Sequence, residues 1–404
     1  MNPRIEKPVI VAGAGPVGLL AALVLARQDV PVIVVEAEAA LTRDLRAGTF
    51  HPPTQEIMEP LGITAKMLEI GIKVPRWQWR DRREGLIVEW DLGLLKEDTP
   101  YPWRLHLEQH RLTPIILELL GDYPHAQVRF STRFESVDEV GDGVCVRVTG
   151  PDGPQTLEGA WLIGADGGRS QVRKSVGIEF EGFTWPERYV VISTTNDLAQ
   201  YGYASNAYIA DPEEWIAVFH MPDVGPPGLW RMCCPVNPDL PEDEVLSDAY
   251  SQRMLRRFLP VAESMDVPYK SMYKVHQRVA KSFRCGRVLL AGDSAHVNNP
   301  LGGFGLNSGI HDAINLGAKL AEVMRGEADA TLMDRYERQR RAVNIEYVQN
   351  VSIANKKALE EKDPVEKQKR ADMLRATAAD PRRAREYLLN SSMINSMRMA
   401  NAIE

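Results

Sequence analysis

Glu36, Asp166 and Asp293 are the side chains whose setting most suggests chemistry. Each stands at the end of a short apolar run: Pro31 to Val35, Trp161 to Ala165, and Val288 to Ala291, which stops at Gly292-Asp293. Such runs fit buried parallel strands, and an acid just past the end lies at the carboxyl edge, where open α/β sheets bind ligands. A carboxylate there accepts hydrogen bonds from ligand hydroxyls. Glycines accompany the acids. Gly13-Ala14-Gly15-Pro16-Val17-Gly18 lets the backbone approach a pyrophosphate, and the helix that follows turns its positive end toward that charge. Pro300, Gly302, Gly303 and Gly305 form a second loop with few side chains, open to close approach by a flat ligand.

The elements that must position these residues follow from periodicity. Pro8 to Ala12, the glycine turn, a helix through Leu19, Leu23 and Ala26, and the strand ending at Glu36 make a complete G-x-G-x-x-G unit. That unit alone does not separate FAD from NAD. A helix is predicted from about Leu306 to Ser308, through Ile310, Ala313, Ile314 and Gly317, with its N-terminus near Asn307. Thr54 to Ile63 reads as a helix, and Leu105 to Leu112 runs from a strand into a helix over Thr113 to Leu120. Val128 to Phe134, Val144 to Val148 and Gln155 to Glu158 are strand-like runs joined by turn signals. Trp77 to Trp90 and 181–275 carry short aromatic strands, the latter crossed by a helix over Glu242 to Phe258. Met324 to Tyr347 reads as a helix with a solvated charged face, and 346–404 as a charged helical tail.

The ordered motifs resemble those of the group A flavoprotein monooxygenases, the para-hydroxybenzoate hydroxylase family. They are Gly13 to Gly18 with Glu36, then Gly164-Ala165-Asp166-Gly167-Gly168-Arg169-Ser170, then Gly292-Asp293 with Pro300 to Asn307. The resemblance spans residues 8 to about 345. It implies an α/β fold: a Rossmann-like FAD-binding domain, an inserted and mostly antiparallel β substrate domain, and a helical C-terminal tail. The expected segments are 1–75, 103–180 and 276–345 for the FAD domain, 76–102 and 181–275 for the substrate sheet, and 346–404 for the tail. The resemblance assigns FAD contacts to Gly13, Gly15, Pro16, Val17, Gly18 and Glu36, to Arg46 and Ala47 at the pyrophosphate, and to Gln109 near the ribityl and phosphate groups. It adds Asp166, Gly167, Gly292 and Asp293, and the loop Pro300, Gly303, Gly305, Leu306 and Asn307 along the isoalloxazine. Arg111 is a weaker assignment, with surface charge as the alternative.

Composition limits the alternatives. The 404 residues carry a formal net charge of −7, with 44% hydrophobic and 25% charged residues, which argues against a general nucleic-acid binder. The four cysteines show neither a zinc spacing nor a disulfide framework, which points to a reducing cytoplasm and no metal site. No stretch is long and apolar enough to span a bilayer. The tail is either a packing arm or the contact of a homodimer.

The family resemblance implies that FAD takes hydride from NAD(P)H as co-substrate, reacts with O2 at flavin C4a, and delivers one oxygen atom to a small aromatic substrate. A phenolic ring needs a base or proton path, and His106, His220, His296, Tyr189, Tyr203 and Tyr208 all qualify by type. His220 and Tyr203 are taken as the catalytic side chains, with Pro300 over the flavin; His296 is assigned to ordering the FAD loop. Only one nucleotide-binding unit is visible, so the nicotinamide is expected to bind transiently near Asp166. A halogenase or reductase on the same fold is the second reading, although Trp77-Gln78-Trp79-Arg80 lacks the Ile-Pro of the halogenase motif. A non-catalytic FAD-fold binding protein is the third.

Overall fold

The computed structural model describes residues 7–43, 48–259 and 264–404. Arg46 and Ala47 lie outside them. The core is a six-stranded sheet in the order Arg284–Cys285, Val288–Leu290, Trp161–Gly164, Val9–Ala12, Val32–Val35, Ala126–Arg129. All neighbours are parallel except the first, antiparallel pair. Val9, Ile10, Val11, Leu162, Ile163, Leu289 and Leu290 are fully buried, as strands covered on both faces must be. The helices Pro16–Ala26 and Phe304–Met324 pack together on this core.

The register sets three motifs side by side. Ala12 pairs with Gly164 and Gly164 with Leu290, so the turns after these strands meet at one carboxyl edge. Hydrogen bonds continue the ladder into them: Ala165 N to Ala12 O (2.8 Å) and Ala291 N to Gly164 O (3.0 Å).

A second sheet has eight strands in the order His296–Val297, Tyr269–Ala280, Phe180–Thr194, Leu229–Val236, Ile216–Met221, Asn206–Ala210, Arg76–Asp81, Gly85–Asp91. Only the Asn206–Ala210 and Arg76–Asp81 pair is parallel. Successive side chains alternate between its faces. The back face carries Val190, Ile209, Ile216, Val218, Trp230 and Met232 against the helix Asp248–Phe258. The front face carries Tyr189, Tyr208, Trp215, Ala217 and Cys233, together with Leu301 of the glycine loop.

The tail covers that front face. Its helices Pro364–Ala379, Pro381–Ser391 and Ile394–Ala402 contribute Leu374, Leu388, Leu389 and Ile394 to one core with Trp77, Trp79 and Trp90. Tyr387 stacks on Trp90 at 4.1 Å between centroids. The packing-arm reading therefore describes how the tail sits. No helix among the described residues is long and apolar enough to cross a membrane.

Several expected boundaries move. Val128 to Phe134 is not one strand but two, Ala126–Arg129 and Arg133–Val140, broken at Ser131, which has φ 52°. The helix predicted from Thr113 begins at Gln109, after Glu108 as N-cap, and so holds Pro114 in its interior. The Thr54 to Ile63 segment is a helix Pro52–Met58, a 3₁₀ turn Glu59–Leu61, and a new helix from Ile63, because Gly62 turns left-handed. The helix expected from Leu306 starts at Phe304, inside the glycine loop, with Gly303 as its N-cap. The solvated reading of Met324 to Tyr347 fails at Tyr336 and Arg340, both buried.

Candidate active site

The carboxyl edge combines tight glycine turns with open space at a helix N-terminus. Gly13 has φ 104°, and a Cβ there would lie 2.5 Å from the Ala165 carbonyl oxygen, so only glycine fits between the two strands. Gly15 differs: a Cβ there meets nothing within 4 Å, so the missing side chain leaves open space at the N-terminus of Pro16–Ala26. Pro16 is the first helical residue, and Gly18 lies against the Gly13 carbonyl. Val17 packs on Gly292 and Gly309, joining this helix to the third motif. Glu36 accepts from Ala14 N (2.7 Å) and Glu38 N (2.9 Å), which leaves each oxygen a further lone pair for ligand hydroxyls. Asp293 is exposed on the short turn Gly292–Ser294, between two buried neighbours.

Behind this edge the polar groups bond mainly to one another, with His296 Nδ1 and His311 Nδ1 left bare among the described residues. Asp312, fully buried, accepts from Gly292 N (3.0 Å), His296 Nε2 (2.6 Å) and Arg340 Nε (2.6 Å). Burial pushes its carboxyl up, but His296 and Arg340 outweigh burial and hold it below the usual carboxylate range. Arg340 also donates to Ser308 Oγ (2.9 Å). Asn307 is equally committed: its Oδ1 accepts from His51 N (2.9 Å) and Thr54 Oγ1 (2.6 Å), and its Nδ2 donates to Thr49 O (2.7 Å) and Gly303 O (2.6 Å). With both donors and both lone pairs used, only its backbone is left for a ligand. Because Thr54 spends its one proton on Asn307, His311 must donate its Nε2–H to Thr54 Oγ1 (2.8 Å).

Asp166 is partly turned inward. Its Oδ2 accepts from Gln171 N (2.7 Å) and Val172 N (3.0 Å) at the start of Gln171–Ser175, and its Oδ1 is buried without a partner among the described residues. Gly167 beside it faces open space. Gln109 stands half-buried at the start of its helix. Arg111 donates to the Asp223 carbonyl (2.5 Å) rather than standing as a solvated charge. Pro300 accepts from Gly303 N (3.0 Å), which closes the glycine loop, and Gly302 N donates to the Tyr208 hydroxyl (3.2 Å). That bond ties the loop to the front of the second sheet. Gly305 and Leu306 supply N–H groups in the first turn of Phe304–Met324, where no carbonyl four residues back lies within the helix.

A family model described as FAD binding domain matches residues 6–351. Para-nitrophenol 4-monooxygenase of Pseudomonas sp. (strain WBC-3) is 35% identical over 398 residues, covering 97% of this chain and 96% of that protein. The chain belongs to the group A flavoprotein aromatic monooxygenases. A second relative, 6-hydroxy-3-succinoylpyridine 3-monooxygenase of Pseudomonas putida (strain DSM 28022 / S16), is 34% identical, covering 89% and 91% of the two chains. The crystal structure of p-nitrophenol 4-monooxygenase from Pseudomonas putida DLL-E4 aligns with a TM-score of 0.91 at 34% identity over 98% of each chain. The monooxygenase is FAD-dependent and hydroxylates aromatic substrates. The open space at Gly15 and Gly167, the spare lone pairs of Glu36 and the exposed Asp293 fit that cofactor.

Two side chains expected to be catalytic lie on the back face of the second sheet. His220 shares a strand face with Ile216 and Val218, stacks on Trp230 at 4.4 Å, and is 2.9 Å by Nε2 from the Pro227 carbonyl. Tyr203 packs in the same back cluster, with its hydroxyl 3.4 Å from the Phe258 carbonyl. The sheet separates both from the glycine loop. Phe219 and Tyr208 face the loop instead. His296 lies beside Gly292 and orders that turn through Asp312, as its place in the sequence suggests.

Sequence reasoning missed Asp312, Arg340, His51 and Arg104. No spacing marks them: Arg340 sits among three other arginines in Arg335 to Arg341 and reads as one more solvated charge. His51 stacks on Phe304 of the loop helix at 5.7 Å and bonds the Gly302 carbonyl (2.8 Å) through Nε2.

Proposed function

We propose that the monooxygenase takes its electrons from NAD(P)H and oxygenates a small single-ring phenol with a para substituent, para-nitrophenol being the first substrate to try. The near end-to-end match to para-nitrophenol 4-monooxygenases, in sequence and in fold, carries this reading. FAD, when bound, accepts hydride and activates O2. The chain's own residues hold and enclose the reactants. Gly15 and the helix N-terminus behind it would take the pyrophosphate, Glu36 the ribose hydroxyls, Asp293 the ribityl hydroxyls, and the backbone of Pro300 to Leu306 the ring. The first turn of Phe304–Met324 favours negative charge on that ring. Substrate would lie between the loop and the front of the second sheet, where the tail and its tyrosines keep water out. Asp166 and Gly167 border the approach for the nicotinamide.

Oxygen delivered to the carbon that bears the nitro group leaves a centre that expels nitrite and becomes a quinone carbonyl. One phenolate, one O2, one NAD(P)H and one proton then give one quinone, one nitrite, one water and NAD(P)+. Nitrite and NAD(P)H consumption measured together over para-nitrophenol, other phenols and hydroxypyridines test the reading. Equal rates of nitrite release and NAD(P)H loss are expected with para-nitrophenol. NAD(P)H loss with nitrophenol that yields only peroxide, alongside coupled oxygenation of a hydroxypyridine, would move the substrate class.

A further inference from the structure

Arg104 is a buried cation without an anion. It is 2% exposed, on the strand Arg104–His106, and makes no ion pair among the described residues. Its contacts are neutral. Nη1 donates to Asn206 Oδ1 (2.5 Å), the guanidinium lies 4.8 Å from the Trp77 ring centroid, and the Tyr208 hydroxyl is within hydrogen-bonding reach. Its Nε–H is buried with no acceptor. Arg340, equally buried, has Asp312. A structure that pairs one guanidinium and leaves another bare calls for an acceptor from outside the fold.

The surroundings have the composition of a polar-lined aromatic pocket. Arg104 and His106, two apart on one strand, share a face. His106 donates Nδ1–H to the His220 carbonyl (2.9 Å), so its bare Nε2 is a lone pair. His51 donates Nε2–H to Gly302 O and leaves Nδ1 bare in the same way. Burial holds His51 well below its ordinary range and His106 down at about 3, so both are neutral near pH 7. The hydroxyls whose charge would bear on the guanidinium are those of Tyr208, Tyr387 of the tail and Tyr347 of the π-helix Asn344–Gln349; burial raises all three. None supplies a negative charge at neutral pH. Arg231, which also bears on His106, has Glu108 at 3.8 Å. Among the described residues, Arg104 is the guanidinium of the group that has no acidic partner.

We propose that Arg104 is a specificity-determining residue: its guanidinium takes the anionic oxygen of the substrate, so that the enzyme selects the ring as its phenolate. The inference rests on the phenol reading above and adds the residue that meets the phenolic oxygen. A guanidinium fork in a water-poor site matches an oxyanion, and a charge-assisted bond there exceeds a neutral one. An ionised ring is also the more electron-rich one, so selection and activation coincide.

The ligand's own spectrum reads its charge. Oxidised holoenzyme, without NAD(P)H, is titrated with para-nitrophenol at a pH below the free ligand's pKa, and with its methyl ether, which cannot ionise. Wild type should show the phenolate band and bind the phenol at least about tenfold tighter than the ether. Arg104→Met, with FAD content checked, should bind the neutral form and lose that preference; Arg104→Lys should keep the band with weaker binding. A neutral-phenol spectrum in wild type, equal affinity for phenol and ether, or an unchanged band in a flavin-replete Arg104→Met would overturn the proposal. Where Arg104→Met fails to hold FAD, the phenol-to-ether ratio of the wild type decides. Absence of any nitrophenol binding removes the substrate reading instead, and the same comparison is then made with whichever hydroxylated ring is oxygenated.

Discussion

The two sides of the glycine loop treat their buried guanidinium groups differently, although each side keeps some bare polar atoms, His296 Nδ1 and His311 Nδ1 among them. On the side of the parallel sheet, Asp312 gathers Gly292, His296 and Arg340, and Asn307 spends all four of its hydrogen-bonding positions inside the protein. On the side of the antiparallel sheet, Arg104 Nε, His106 Nε2, His51 Nδ1 and Trp77 Nε1 are buried and bare. A cofactor that stays bound calls for a frame already closed. A substrate that comes and goes calls for groups it can satisfy while it is present. The contrast separates residues that shape the site from residues that meet the ligand.

The largest expected effect comes from opening the closed side. Asp312→Ala leaves Arg340 buried without its anion and Gly292 without its acceptor, and should cost roughly 3–5 kcal/mol in denaturant unfolding, with flavin lost on purification. A variant of wild-type stability would show that the triad does not hold the edge. Acid should act through the buried histidines. The folded pKa values of His106 and His311 are depressed to about 3, and that of His51 lies well below its ordinary value, so the unfolded chain takes up protons first. Their stabilisation is whole above pH about 6.5 and is lost as pH falls below it, for His106 and His311 down to about pH 3 at about 1.4 kcal/mol per pH unit each. His311→Gln, if it folds, should flatten that slope by one such increment between those limits; an unchanged slope assigns the acid lability elsewhere.

The motifs that were legible in the sequence are those in which the ligand constrains the backbone. Gly13 and Gly18 are glycines because the Ala165 and Gly13 carbonyls come too close for side chains, Gly15 leaves open space between them, and that demand leaves a pattern at fixed spacing. Arg104 and Arg340 leave none. Each is buried by partners distant in the chain, Asn206 and Asp312, and a single sequence shows the charge without the cover. The face that His220 occupies is a matter of strand parity. Phe219 faces the loop, and the next residue faces away, so a one-residue difference exchanges pocket and back wall. The early start of the loop helix has a similar origin: Gly303, in a left-handed conformation, serves as its N-cap and takes the helix into a loop that composition marks as coil.

Asp293→Ala sharpens the comparison at the boundary between the two sides. It should leave unfolding free energy within about 0.5 kcal/mol of wild type, as surface changes usually do, yet weaken FAD by roughly 10- to 100-fold through lost charge-assisted bonds. Equal flavin affinity in equilibrium dialysis would take Asp293 out of the site. The smallest effect is expected at Tyr203→Phe, which removes one long hydrogen bond behind the sheet; kcat and KM should stay within about twofold. A hundredfold fall in kcat would return Tyr203 to the chemistry and break the division between the faces.

A crystal structure of the holoenzyme with para-nitrophenol bound, its flavin oxidised, tests the central claim most directly. The account predicts the ring between the Pro300 to Gly305 loop and the front of the antiparallel sheet. Its oxygen should lie about 3 Å from the Arg104 guanidinium, with at least one of the bare atoms of His51, His106 or Trp77 now partnered. A ring seated behind the sheet among Trp230, His220 and Tyr203, or one in front that leaves Arg104 without an acceptor, would contradict it.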